Sequence, residues 1–322
     1  MAIVFGRNSF VLLAKEANWG VAGSYETNAN RIISTTLQST QQRDKKAFLS
    51  TSNGVFSQST FDSFTESGGS LEVPLYYEGS GMFLRAMAGK TATTGAGPYL
   101  HTYSSGDSDL SAKSFSCKLQ RGSATNGMEE FLGCVISSAT ISIAAGEAAS
   151  MSMEVIAKKS MSRAGSITPT YNATQTQVYH YEAGTLAFNG VAYECRSMEF
   201  SVENSLERRN ILGSKETASP DVTDFRDCSI TVTLDTTDAQ ANLLYNAGLD
   251  GTESQVLIHF NQTGGSDVMS FYLINAIITD VSQPLDTVGR LQTTCTFTAL
   301  AGASTEAWKI EVTNNQANDW TS

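Results

Sequence analysis

This chain writes one strand-and-helix unit twice, and that repeat limits its fold more than any other feature. Residues 70–90 read SLEVPLYYEGSGMFLRAMAGK, and residues 229–249 read SITVTLDTTDAQANLLYNAGL, displaced by 159 positions. The copies share Ser70/Ser229, Val73/Val232, Leu75/Leu234, Leu84/Leu243, Ala88/Ala247 and Gly89/Gly248. In each, apolar residues first alternate with period two, as in a strand with one buried face: Leu71, Val73 and Leu75, then Ile230, Val232 and Leu234. Turn and cap residues follow, Gly79-Ser80-Gly81 or Thr236-Thr237-Asp238, and then helical spacing. Gly89 and Gly248 stand where a helix C-terminal cap is expected.

The flanks repeat in the same order. A strand precedes each unit, IISTTLQSTQQRD at 32–44 and SMEFSVENSLERR at 197–209. Irregular connections over roughly 43–67 and 207–227 then lead into the unit. After it, FLGCVISSATISI (131–143) and MSMEVIAK (151–158) match FYLINAIITDVSQ (271–283) and TTCTFTAL (293–300). The first copy holds an extra polar insert at 91–111, read as an exposed loop, and a Ser/Thr-rich stretch at 160–177 reads as the joint. The expected architecture is mostly β: two tandem β-sandwich domains, 1–160 and 161–322, each with one flanking α-helix, with N-terminal strands able to exchange between them.

Chemistry is hard to find. The sequence has no HExxH, GxSxG, GxxxxGK[ST] or strand-linked GxGxxG. EGSG at 78–81 lacks a following Lys-Ser/Thr and its twin TTDA lacks the glycines, so it reads as a turn. Glu129 and Glu130 are adjacent and point to opposite faces of a strand, and DFRD at 224–227 reads as a solvated loop. Five widely spaced cysteines without a CxxC pair read as buried thiols, and three isolated histidines as structural or surface residues. No cofactor or metal is expected, and the expectation is a scaffold, not an enzyme. The opening MAIVFGRNSF lacks the pattern of a signal peptide and no apolar run is long enough to span a membrane, so a cytoplasmic origin is expected.

Net charge is −11, with 13 basic and 13 acidic side chains in residues 1–160 against 8 and 19 in residues 161–322. Such a chain does not grip nucleic-acid phosphates, but it can line a surface that nucleic acid passes without sticking.

Four stretches together resemble the tail tube (major tail) proteins of long-tailed bacteriophages. They are AKEANWGVAG (14–23), GGSLEVPLYYEGSGMFLRAMAG (68–89), FLGCVISSATISIAAGEAASMSMEVIAK (131–158) and VENSLERRNILGSKETASPDVTDFRDCSITVTLD (202–235). The resemblance implies a structural virion protein of the phage tail, assembled in the host bacterial cytoplasm. Its sheets associate with copies of themselves into rings, and the rings stack into the hollow tube through which DNA is ejected. Its partners would be further copies, other tail proteins at the tip and terminator ends, and double-stranded DNA in passage without specific binding; no membrane is implied.

Most members carry one such domain and form rings of six. The duplication therefore implies a trimeric, pseudo-hexameric ring with neutral and acidic domains alternating. The alternative is a six-chain ring with the second copy outside. Outside this reading stand a tandem β-sandwich adhesin or carbohydrate-binding module and another tail or baseplate component. The resemblance also assigns the long connections to inter-subunit or inter-ring docking. The residues concerned are Arg43, Lys45, Lys46, Phe48, Val55, Phe56, Phe61 and Phe64, then Arg208, Arg209, Ile211, Leu212, Val222 and Phe225. Read from the residues alone, the apolar members equally fit a place under their own sheet.

Overall fold

The computed structural model describes residues 9–26, 28–46, 59–106, 109–122, 127–161, 165–171, 178–179, 184–261, 267–283, 292–301 and 306–317. The first part of the chain forms β1 (Phe10–Lys15), β2 (Asn30–Arg31), β3 (Ser34–Thr35), β4 (Gln38–Lys46), β5 (Ser59–Pro74) and α1 (Gly81–Met87). It continues with β6 (Lys90–Thr94), β7 (Tyr99–Ser104), β8 (Phe115–Gln120), β9 (Met128–Ala144), β10 (Ser150–Ala157) and β11 (Lys159–Met161). Then come β12 (Gly184–Phe188), β13 (Val191–Glu203), β14 (Leu206–Arg209), β15 (Ser219–Val222), β16 (Asp227–Asp235) and α2 (Asp238–Asp250). The last strands are β17 (Ser254–Asn261), β18 (Val268–Ser282), β19 (Gln292–Ala299) and β20 (Trp308–Asn314).

The repeated unit is β5–α1 and β16–α2. Its alternation holds: Leu71, Val73 and Leu75, like Ile230, Val232 and Leu234, are buried. The equivalence extends into pairing. Ser34 and Thr35 face Glu72 and Leu71 across β3–β5, as Glu199 and Phe200 face Thr231 and Ile230 across β13–β16. On the other side β10 sets Met151 and Met153 against Val73 and Leu71, and β19 sets Cys295 and Phe297 against Val232 and Ile230. The outer neighbours are then β9 against β10 and β18 against β19, each with a register shift.

The two quartets join directly. β9 pairs antiparallel with β13 from Ala144↔Ser197 through Ile141↔Phe200 to Ser138↔Glu203. One eight-strand sheet results, in the order β3/β4, β5, β10, β9, β13, β16, β19, β18.

Both long strands then leave this sheet for a second layer. The start of β9 pairs with β8 and β11, and β8 pairs with β1. The start of β18 pairs with β17 and β20. Between the layers lies an apolar core in which the Phe200 ring packs 5.2 Å from Phe271 and 5.7 Å from Trp308.

Three expectations are revised. Gly248 does not end its helix. A capping box of Thr237 and Gln240 starts α2, and left-handed Gly251 (φ 62°) ends it. Gly248 instead lets the helix approach β18, since a Cβ there would meet Ile278 and Val281 Cγ2 at 3.4 Å. The described parts of the connection at 43–67 are the end of β4 and the start of β5, paired from Gln38↔Gly68 to Lys46↔Ser59, and 207–227 contains the β14–β15 hairpin. Their Ser, Thr and charged residues concealed the strands.

The polar insert at 91–111 is also strand. β6 and β7 pair, and β7 joins β20 with His101 opposite Val312. His101 is buried there. Its Nε2 donates to the Gln316 carbonyl (3.0 Å), while Nδ1 accepts from the Thr93 hydroxyl (2.9 Å).

Candidate functional site

Three features stand out: a carboxylate cage, a polar open face, and the two hairpins. The cage explains the E-x-x-W-G stretch. Glu16, at the end of β1, is 3% exposed. Its Oε2 accepts from Gly20 N (2.9 Å) and Ser114 Oγ (2.7 Å), and its Oε1 from Gly133 N (2.7 Å) and Ser116 Oγ. Four donors satisfy a buried carboxylate without a cation. They tie the first loop to β8 and to the Gly-Cys step of β9.

The tie also needs glycine. Gly133 has φ +65°, and a Cβ on it would meet Lys158 Cβ at 2.7 Å and Gly20 Cα at 3.3 Å. Gly133→Ala is therefore expected to lower stability by about 2–4 kcal/mol in urea unfolding, from left-handed strain plus overpacking.

The open face is the polar half of every strand of the eight-strand sheet. One row across it runs Ser150, Ser142, Glu199, Thr231, Thr296 and Asp280. A second runs Glu72, Ser152, Thr140, Ser201, Ser229 and Thr298. A third runs Ser70, Glu154, Ser138, Glu203 and Asp227. Hydroxyls bridge neighbouring strands, Thr231 to Thr296 at 3.1 Å and Ser142 to Ser150 at 3.2 Å. No lysine or arginine stands in these rows, and Glu203 faces Asp227 directly, a like-charge opposition that costs stability.

Both halves of the chain supply these acids. The half-by-half net charge concealed this, because Lys15, Lys90, Lys113 and Lys118 balance the first half from other strands and turns.

At the hairpins, Arg43, Lys45 and Lys46 are strand residues of β4, and Phe61 of β5. Phe48, Val55 and Phe56 lie outside the described residues. Phe64 is at the margin of exposure, whereas Ile211, Leu212, Val222 and Phe225 are exposed, Phe225 at 93%. These four do not lie under their own sheet.

Arg208 reaches across the junction between the quartets and donates to the Ala157 carbonyl (3.2 Å). Lys215 O accepts from Thr65 N at 2.8 Å, and Glu216 lies 3.8 Å from Lys159. Arg209 lies 3.5 Å from Asp221. The second hairpin is thus clamped onto the first half of the same chain.

The described residues do not bring three His, Cys, Asp or Glu side chains together in a group able to hold a metal. The five cysteines are free, and burial pushes Cys195 up to about 11 and Cys295 up to about 12, far from thiolate chemistry.

A family model described as phage tail tube protein matches residues 6–299. The chain belongs to that family. No curated protein matches it. Membership makes the role of this tail tube chain structural and its location the virion tail. Among the described residues, no helix is long and apolar enough to cross a membrane.

The Glu16 cage underlies the family-like opening, and its glycines were visible in sequence as E-x-x-W-G and F-L-G-C. The open face was not singled out beforehand. Its signal was present as the polar partner of each alternation, in SATISI, SMSME, EFSVE, SITVTL and TTCTFT.

Proposed function

We propose that three chains join their eight-strand sheets edge to edge into a closed ring, and that stacked rings form the tube through which double-stranded DNA leaves the virion. The observation that carries this reading is the β9–β13 seam. It joins two equivalent quartets inside one chain and, among the described residues, leaves two complementary edges unpaired, β3 at one end of the sheet and the end of β18 at the other. Unpaired edges of this length need a partner.

The internal seam also fixes the external one. β3 corresponds to β13, and the end of β18 to the end of β9. By that correspondence Thr36 of one chain lies opposite Asp280 of the next, as Ser201 lies opposite Thr140. The chain then consists of two tube domains, 1–160 and 161–322, that exchange strands where β7 joins β20. A barrel of three such sheets is wide enough to leave an aqueous lumen. The open face lines it with hydroxyls and carboxylates that repel phosphate without gripping it.

Cryo-electron microscopy of assembled protein, with ring symmetry determined from the images, tests this. Threefold rings with six similar domains around the lumen are expected. Six whole chains per ring, or one domain type alone at the lumen, would overturn the three-chain ring. Particles that never form tubes would favour the binding-module alternative.

A further inference from the structure

We infer that the outer side of α2 is a docking surface for a basic, apolar-sided segment of a second tail protein, one segment per chain. This rests on the proposed tube, whose lumen is the open face. Gly248 sets α2 against Ile278 and Val281 of β18, whose side chains face away from Asp280, Thr296 and Thr298. The helix therefore stands on the exterior of the tube.

The first copy shows what covers such a helix. Leu84 and Ala86 of α1 are each 1% exposed, while Leu243 and Tyr245, at the same places in the repeat, are 55% and 51% exposed. Against α1 lies the insert that the second copy lacks. Its 3-10 turn, Leu110–Lys113, buries Leu110 and is held by Arg85, which donates to the carbonyls of Lys113 (2.9 Å) and Ala112 (3.3 Å). Its strand β7 continues onto β20.

Both of these supports have bare twins. α2 keeps Ala241 and Leu244 toward the sheet and exposes Tyr245 and Leu249, one turn apart, with Leu243 across the helix from them. β11 lies along β9 as β20 lies along β18. Among the described residues β11 pairs with β9 alone, and its Met161 is exposed. In the three-chain ring, α2 of one chain and β11 of the next flank an outer groove matching the one that the insert fills inside each chain.

Charge selects the occupant. From Asp227 to Gly289 the sequence holds eight acids and no lysine or arginine, and Asp238, Asp250 and Glu253 are exposed around the two ends of α2. A second α2 would set acid against acid in either orientation, so this face does not suit its own copy. A segment that presents lysine or arginine beside apolar residues does suit it, as Lys113 follows Leu110 in the insert.

The test places the photoreactive amino acid benzoylphenylalanine at position 245 of the full chain, and in a second variant at position 249. Intact virions are illuminated, and so are tubes of the purified chain alone. The expected product in virions joins this chain to a different polypeptide, at a segment that mass spectrometry shows to carry lysine or arginine beside apolar residues. Purified tubes should give no product. A product joining two copies of this chain, a product with an acidic segment, or none in virions from either position would overturn the docking. Adding Asp238→Lys and Asp250→Lys should lower the virion product about tenfold or more, as a loss of that factor in affinity. An unchanged yield overturns the basic partner. Electron microscopy separates this from the reading it rests on: tubes without the product overturn the docking alone, and chains that never form tubes overturn both.

Discussion

Tubes built from a chain carrying Glu199→Lys and Glu203→Lys are expected to retain double-stranded DNA that parent tubes do not hold. Both side chains stand exposed on the open face of β13, and neither touches the core. Glu199 lies between Ser142 and Thr231, and Glu203 between Ser138 and Asp227, so a lysine at 203 also relieves a like-charge opposition. Folding and ring formation should therefore survive the change, and electron microscopy of the tubes checks that they do. What changes is the sign of the wall.

DNA bound by lysines releases counterions, so retention should fall with salt at a slope of about −0.9 per phosphate neutralised. With about six phosphates engaged, binding drops by roughly a thousandfold between about 50 and 200 mM salt. Parent tubes should show no retention and no such slope. Variant tubes that assemble normally yet still release DNA at low salt would mean that this face does not line the passage.

Glu16→Ala is expected to cost about 3–5 kcal/mol of folding stability, the largest effect of any single polar substitution here. The alanine leaves Gly20 N, Gly133 N, Ser114 Oγ and Ser116 Oγ without their buried acceptor. The damage spreads over three elements at once, because the donors come from the first loop, β8 with the turn before it, and β9. Glu16→Gln keeps one acceptor oxygen but sets an amide donor against the remaining donors, and should fall between alanine and the parent. Urea midpoints of the purified proteins measure both. If both variants unfold within about 1 kcal/mol of the parent, the cage is not what holds the opening segment in place.

The sequence reading reached the repeated unit because its signals are local. A buried strand face shows as Leu71, Val73 and Leu75 whatever surrounds it, and the helix after it shows as spacing. Pairing is not local. That β9 would take β13 as its neighbour, and so fuse two quartets into one sheet, depends on residues more than fifty positions apart, and no short window holds that information.

Strands were missed or cut short where both faces are polar: the strand read at 32–44 covers most of β4, but the start of β5 from Ser59 was read as irregular. The β4–β5 hairpin and the β6–β7 insert lack the alternation that marks a half-buried strand, and their order comes from backbone ladders. The hairpin residues were legible as candidates because apolar side chains in polar surroundings stand out. The carboxylates of the open face were not, because a single glutamate on a strand reads as ordinary surface until its rows are assembled.

In the proposed three-chain ring, the intramolecular β9–β13 seam changes how the ring is born. Six separate domains must meet six at a time before the circle closes, and the rate of that event collapses steeply on dilution. Linking the domains in pairs makes every second seam an intramolecular closure, so only three bodies need to find one another. Each encounter avoided removes a translational and rotational entropy cost of about 4–15 kcal/mol. In the three-chain ring, nucleation then depends on roughly the third power of protein concentration instead of the sixth. The pairing also gives each chain a fixed sequence of unlike positions around the axis. The exterior can therefore carry two kinds of site in strict alternation, with α1 buried in one and α2 baring Leu243, Tyr245 and Leu249 in the other.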